Sequence, residues 1–160
     1  MRNKCKLILC KGVPMKKAKI YLDICCFNRP YDDQDQLRIE LETKAKLHIQ
    51  QQIVDGKYIL VSSVILDFEN SVNPYPLRKY VVNDFLKYAE EYVEEDISVV
   101  EIAKGIASTG VKPKDASHVA CAIFSGCDYF LTTDDRLLKY KDNRIKILNP
   151  VDFVVKDGEM

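Results

Sequence analysis

From Lys19 onward, short apolar runs of strand length alternate with longer stretches of helical periodicity, and few folds accommodate that alternation. Lys19-Ile20-Tyr21-Leu22-Asp23 and Tyr58-Ile59-Leu60-Val61 read as short buried strands. Between them, Leu37, Leu41, Ala45, Ile49 and Ile53 recur every four residues, which predicts a helix over 35–54 with Gly56 at its C-cap. Ser62 or Ser63 can cap the next helix, which carries Ile65, Phe68, Glu69 and Val72 and is broken by Asn73-Pro74-Tyr75-Pro76. Further on, 77–95 reads as helix, 97–99 as a third strand and 101–108 as a short helix ended by Gly110. Pro113 opens a helix to about Ser125; Tyr129 to Leu131 is a fourth strand, Arg136 to Tyr140 a helical turn or two, and Ile145 to Leu148 a last strand stopped by Asn149-Pro150. Such alternation implies a parallel sheet with helices on both faces.

The 160-residue length suits one domain, and 47% apolar residues suffice for a real core. The expected division is an N-terminal extension over 1–17, one domain over 18–155 and a tail over 156–160. Met15-Lys16-Lys17 resembles a second start point. Lys+Arg and Asp+Glu are both 24, so net charge gives no reason to expect a nucleic-acid partner. A polyanion would need a local basic patch or a bound cation. Six cysteines without a C-x-x-C pair, and only two histidines, argue against a zinc site. Cys25-Cys26 reads as core rather than redox chemistry. With no signal peptide and no apolar run of about 20 residues, the expectation is a cytoplasmic protein with reduced thiols and no membrane partner.

Four acids fall at strand ends or on the helices that follow. Asp23 closes the first strand, and Asp134 follows Tyr129-Phe130-Leu131-Thr132-Thr133 in the same manner. Glu69 lies four residues after Ile65 and borders the apolar stripe of its helix, closer to it than Asp67. Asp115 sits in a first helical turn and shares a side with Val119, which aims it toward the sheet. Parallel strands gather their carboxyl ends at one edge, where a ligand crevice forms. Like charges gathered there need protons or a divalent cation, and Mg²⁺ or Mn²⁺ prefers such oxygen ligands. Each acid alone has a plain alternative, as a turn residue, a solvated helix residue or an N-cap. Either Asp134 or Asp135 could cap the turn that follows.

Other constellations are weaker. Asp115, Ser117 and His118 include hydrolase-triad residue types but fan apart on one helix. His118, three residues after Asp115, could support it by a hydrogen bond, but a helix-surface or interface histidine is the plainer reading. No glycine-rich phosphate loop occurs. Lys112, Lys114, Arg136, Lys139 and Lys141 bracket the acids and could meet a phosphate backbone or simply face solvent. A receiver-like phosphorylation domain would need an acidic pair after the first strand, and Asp23-Ile24 lacks it.

Taken in order, Tyr21-Leu22-Asp23, Ser63 through Glu69, Asp115-Ala116-Ser117-His118-Val119-Ala120 and Leu131-Thr132-Thr133-Asp134 resemble the motifs of the PIN-domain family of metal-dependent ribonucleases, which includes the VapC-type toxins. The resemblance covers about Lys19 to Pro150. It implies a three-layer α/β/α sandwich, with Asp23, Glu69, Asp115 and Asp134 around one or two Mg²⁺ or Mn²⁺ ions. It also implies in-line attack of water on an RNA phosphodiester, with Thr132 bonding a carboxylate or a water. An antitoxin and a second copy of the chain are the implied partners, with Tyr75, Tyr80, Tyr88 and Tyr92 in the segment that could form the dimer interface. Ile24-Cys25 departs from the polar residues that follow the first acid in this family, which predicts altered metal affinity or substrate preference. The competing reading is a non-catalytic PIN-like module that binds nucleic acid or protein.

Overall fold

The computed structural model describes residues 16–158, so the Cys5-to-Cys10 stretch and most of the expected N-terminal extension lie outside the described residues. Five strands form one parallel sheet in the order β3-β2-β1-β4-β5: β1 Lys19–Leu22, β2 Ile59–Ser63, β3 Glu91–Val93, β4 Tyr129–Leu131 and β5 Lys146–Leu148. Among the described residues, eight α-helices join or follow them: α1 Ile24–Asn28, α2 Leu37–Val54, α3 Val64–Ser71, α4 Pro76–Leu86, α5 Ile97–Ala107, α6 Pro113–Phe124, α7 Asp135–Leu138 and α8 Pro150–Gly158.

Alternation along each strand divides the core into two layers. Tyr21, Val61 and Phe130 face one side and meet Leu66 of α3, Val99 and Ile106 of α5, Val119 of α6 and Leu137 of α7. Ile20, Leu22, Leu60 and Leu131 face the other and meet Phe27 of α1, Ile49 and Ile53 of α2, Val82 and Phe85 of α4, and Phe153 of α8. This is the expected three-layer α/β/α arrangement. The chain builds outward from β1 to β3 and then returns to the opposite side for β4 and β5. Strand order therefore reverses between β1 and β4, and a crevice opens beyond their carboxyl ends.

Several local readings are corrected. The helix expected over 77–95 ends at Leu86, and Glu91–Val93 pairs with Val61–Ser63 as β3. The strand expected at 97–99 is the first turn of α5. There Asp96 Oδ1 accepts the Ser98 N–H at 2.7 Å, and this cap turns a β-branched run into a helix start. Asn149-Pro150 stops β5 but also starts α8: Asn149 Oδ1 accepts the Val151 N–H at 2.9 Å, and proline is tolerated at the first helical position. α8 runs past residue 155, the domain edge expected from the sequence. The predicted stop of α2 holds, with Gly56 at φ 78° just beyond the Asp55 cap.

Two buried charges on α2 contrast. Glu42 is satisfied by Arg29, Arg38 and Asn149. Lys46, only 4% exposed, has the Phe27 ring 5.3 Å from its ammonium and no hydrogen bond or ion pair among the described residues. Burial pushes the Lys46 ammonium down to about 8. The unfolded chain takes up this proton as pH falls through 10.5, whereas the folded chain takes it up only near 8, so stability falls across that window and stays low below it. The penalty at neutral pH is on the order of 3 kcal/mol. Lys46→Met is expected to raise the melting temperature at pH 7, with the gain shrinking toward zero above pH ~10.5. Thermal unfolding of both proteins across that range checks it.

Candidate metal centre

Asp23 leaves β1 at the reversal point. Its N–H bonds the Leu131 carbonyl at 2.9 Å, which ties the end of β1 to the end of β4. Its carboxylate caps α1: Oδ1 accepts the Ile24 N–H at 2.8 Å. Oδ2 accepts the Thr132 hydroxyl at 2.8 Å, and Thr132 Oγ1 accepts the Asp134 N–H at 3.1 Å. Thr132 thus links the two strand-end acids. Burial pushes the Asp23 carboxyl well above the usual carboxylate range; the neighbouring Cys25 adds to the rise, while His118 and the Thr132 bond oppose it.

Cys25 occupies a place where the family resemblance led one to expect a polar side chain. Its thiol donates to Asp23 Oδ2 at 3.3 Å and accepts the Thr133 N–H at 3.3 Å. Ile24 packs into both core layers instead of the crevice. Cys26 is buried, and Cys25, Cys26, Cys121 and Cys127 are all free thiols.

Ser63 ends β2 and caps α3, accepting the Leu66 N–H at 3.2 Å. This cap sets the helix whose second turn carries Glu69. Glu69 meets Lys114 at 2.8 Å through Oε1 and His118 Nε2 at 2.5 Å through Oε2. Burial raises the Glu69 carboxyl, but the bonds from His118 and Lys114 outweigh it and leave the group lowered.

His118 corrects the surface reading. It is 0% exposed, and its Nδ1 lies 2.7 Å from the Tyr21 hydroxyl, which lies 2.6 Å from Ser63 Oγ. One proton assignment satisfies every group: Ser63 donates to Tyr21, Tyr21 to Nδ1, and Nε2–H to Glu69. The partner of His118 is therefore Glu69 from another element rather than Asp115 on its own helix. The sequence signal was the run of small residues Ala116, Ala120, Cys121 and Ala122. They let α6 sit so close to its neighbours that more than one side of it is buried.

Asp23, Glu69 and His118 form one group in which a ligand atom from each lies within 4.8 Å of the others. Asp115 and Asp134 are not in this trio. Asp115, in the first turn of α6, is half-buried and has no hydrogen bond or ion pair from its side chain among the described residues. Burial raises its carboxyl, and the charge of Asp134 raises it further. Asp134 rather than Asp135 caps α7, with Oδ1 accepting the Arg136 N–H at 2.8 Å. Asp135 turns away to a two-pronged pair with Arg38 at 2.8 and 2.9 Å.

The donor set suits a hard divalent cation. Asp23 is a buried carboxylate with no salt bridge among the described residues, Asp115 lacks any partner there, and a third carboxylate and an imidazole stand beside Asp23. Carboxylates so placed are costly to ionise unless a cation joins them.

The comparisons agree with this architecture. FitAcB from Neisseria gonorrhoeae superposes with a TM-score of 0.52 at 16% identity, over 82% of this chain and 97% of that one. VapBC2 from Rickettsia felis, bound to a DNA fragment from its promoter, superposes with a TM-score of 0.51 at 14% identity, over 82% of this chain and 98% of that one. At such identity the likeness is one of fold. A search of curated proteins finds no match. The PIN domain model matches residues 20–143, a span that contains all of β1 but Lys19, β2 through β4 and all four strand-end and helix acids, and on that match the chain belongs to the PIN domain family.

Proposed function

We propose that this protein is a metal-dependent endoribonuclease that hydrolyses RNA phosphodiester bonds, with Asp23, Glu69, Asp115 and Asp134 holding one or two Mg²⁺ or Mn²⁺ ions. The observation that carries the reading is the convergence of Asp23, Glu69 and His118 within 4.8 Å at the edge where strand order reverses. A divalent ion held there would neutralise phosphate charge and activate water for in-line attack. The protein's own part is orientation. Thr132 fixes Asp23, and the Ser63-Tyr21-His118 chain fixes Glu69 from within the core. Lys114 pairs with Glu69 while staying largely exposed, so its charge is accessible to a phosphate.

Two partners accompany this reading. Phe68, Val72, Leu77 and Tyr80 leave an exposed apolar face on α3 and α4, which suits a second copy of the chain. An antitoxin is proposed here from the resemblance to VapC-type toxins and the likeness in fold to VapBC2. Among the described residues, no helix is long and apolar enough to cross a membrane.

The test is cleavage of end-labelled RNA by the purified full chain, with Mn²⁺ or Mg²⁺ and then with excess chelator. Cleavage that stops on chelation is the expected result. Calorimetry with Mn²⁺ should show heat of binding. No heat and no cleavage from a folded protein would instead favour the non-catalytic module.

A further inference from the structure

Beside Asp115 a cavity of about 420 Å³ opens between the α5–α6 loop and α7. That volume lies in the ordinary range for small-ligand sites, ~300–1,000 Å³. Its walls include Lys112, Arg136, Lys139, Lys141 and Tyr140. None of the four cations has a salt bridge among the described residues. Lys141 reaches the Leu138 carbonyl at 3.0 Å, a neutral acceptor. The Tyr140 ring is held from behind: its hydroxyl donates to Asp142 at 2.7 Å, and Arg144 clamps that carboxylate at 2.8 and 2.9 Å. A second cavity of about 440 Å³ continues past Tyr140 and Lys141 to Lys146.

The opposite flank has the reverse charge. A cavity near the β3–α5 junction is lined by Glu91, Glu94, Glu95 and Asp96. On a chain of zero net charge, the two cavities thus differ in the sign of most of their ionisable residues.

We infer that the cavity beside Asp115 is a nucleotide subsite, and that single-stranded RNA leaves the metal centre over α7, with a phosphate on Lys112 and Lys139 and a base against Tyr140. The inference rests on the ribonuclease reading for the identity of the polymer. Single-stranded RNA suits the cavity because an unpaired base can enter it and stack on a fixed aromatic ring, as single-strand binders use such rings. A duplex keeps its bases stacked inside and would offer only backbone to the rim.

The test is fluorescence anisotropy of a short labelled RNA strand on the full chain in chelator, which blocks cleavage and keeps binding separate from metal. Lys112→Ala with Lys139→Ala should weaken binding about tenfold and lower the salt slope by about 1 to 2, the value for two lost phosphate contacts. Tyr140→Leu should weaken it about tenfold while Tyr140→Phe stays near wild type. Lys44→Ala with Lys87→Ala, in ion pairs on other surfaces, serves as the control and should change neither quantity. Equal losses in the control pair, an unchanged salt slope in the cavity variants, or a duplex that binds as tightly as the single strand would overturn the subsite. The two readings fail separately. Tight, cavity-dependent binding without metal-stimulated cleavage sinks the nuclease and keeps the subsite; cleavage with the same kcat/KM in cavity variants does the reverse.

Discussion

Asp23→Asn is expected to cut the rate of metal-stimulated RNA cleavage by about 10³-fold, corresponding to the several kcal/mol that a correctly held ion contributes to a phosphoryl transition state. The amide keeps the shape of the side chain and can still accept from the Ile24 N–H, so α1 remains capped. What it loses is the negative charge and, at Oδ2, the acceptor of the Thr132 hydroxyl and the Cys25 thiol; the amide N–H there can donate to Thr132 Oγ1 instead. Because burial already holds the Asp23 carboxyl well above its ordinary value, the metal-free fold carries a cost for ionising it that grows as pH rises from the ordinary carboxylate range. The neutral amide removes that cost. The variant should therefore melt no lower than wild type without metal and should lose the stabilisation that Mn²⁺ gives wild type, an effect set by mass action. Asp115→Asn should behave alike in cleavage, since its side chain has no structural partner to lose among the described residues. Initial rates and melting curves, each with and without Mn²⁺, check both variants. A folded Asp23→Asn that cleaves at wild-type rate would refute the role given to Asp23.

The largest loss of stability is expected from Glu42→Ala. This carboxylate, 1% exposed, joins three parts of the chain: Arg29 after α1, Arg38 on α2 and Asn149 at the start of α8. Deleting one partner of a buried pair typically costs 3–5 kcal/mol because a charge is left uncompensated. Here Arg29 keeps Asp32 and Arg38 keeps Asp135, so the lower end, about 3 kcal/mol, is expected. For a chain of this size that is a fall of about 10 °C in melting temperature. A fall of less than about 2 °C would show that the two arginines suffice without Glu42.

The sheet could be read from the sequence because its strands β1, β2 and β4 are apolar runs bounded by turn formers, and parallel strands buried on both faces take that form. Residues 87–99 could not be read in this way. β3 is three residues with a charged first position, held by its register with β2 rather than by its own pattern. Ile97-Ser98-Val99 has the β-branched residues of a strand, and a single side-chain cap at Asp96 overrides them. Asn149-Pro150 shows the same ambiguity, since a pair that stops a strand also opens a helix. At the candidate site, the positions of Asp23 and Asp115 followed from strand end and helix turn. The link between Glu69 and His118 did not, because it joins side chains 49 positions apart through a helix contact that periodicity within one element does not reveal. The part of Cys25 was hidden for a different reason: a thiol was counted as core, yet α1 turns it toward Asp23.

The reversal of strand order between β1 and β4 has a consequence for biogenesis. The side chains that meet there, Asp23, Glu69 and His118, come from both halves of the chain, and β4 pairs with the edge of β1 opposite β2. A nascent chain halted before Tyr129 has Asp23, Glu69 and Asp115 but lacks Leu131, whose carbonyl anchors Asp23, and Thr132, which holds its carboxylate. Contacts this distant in sequence form late and slowly. The centre thus comes into being only once β4 and Thr132 have been made, and a product truncated before them carries the acids without the geometry.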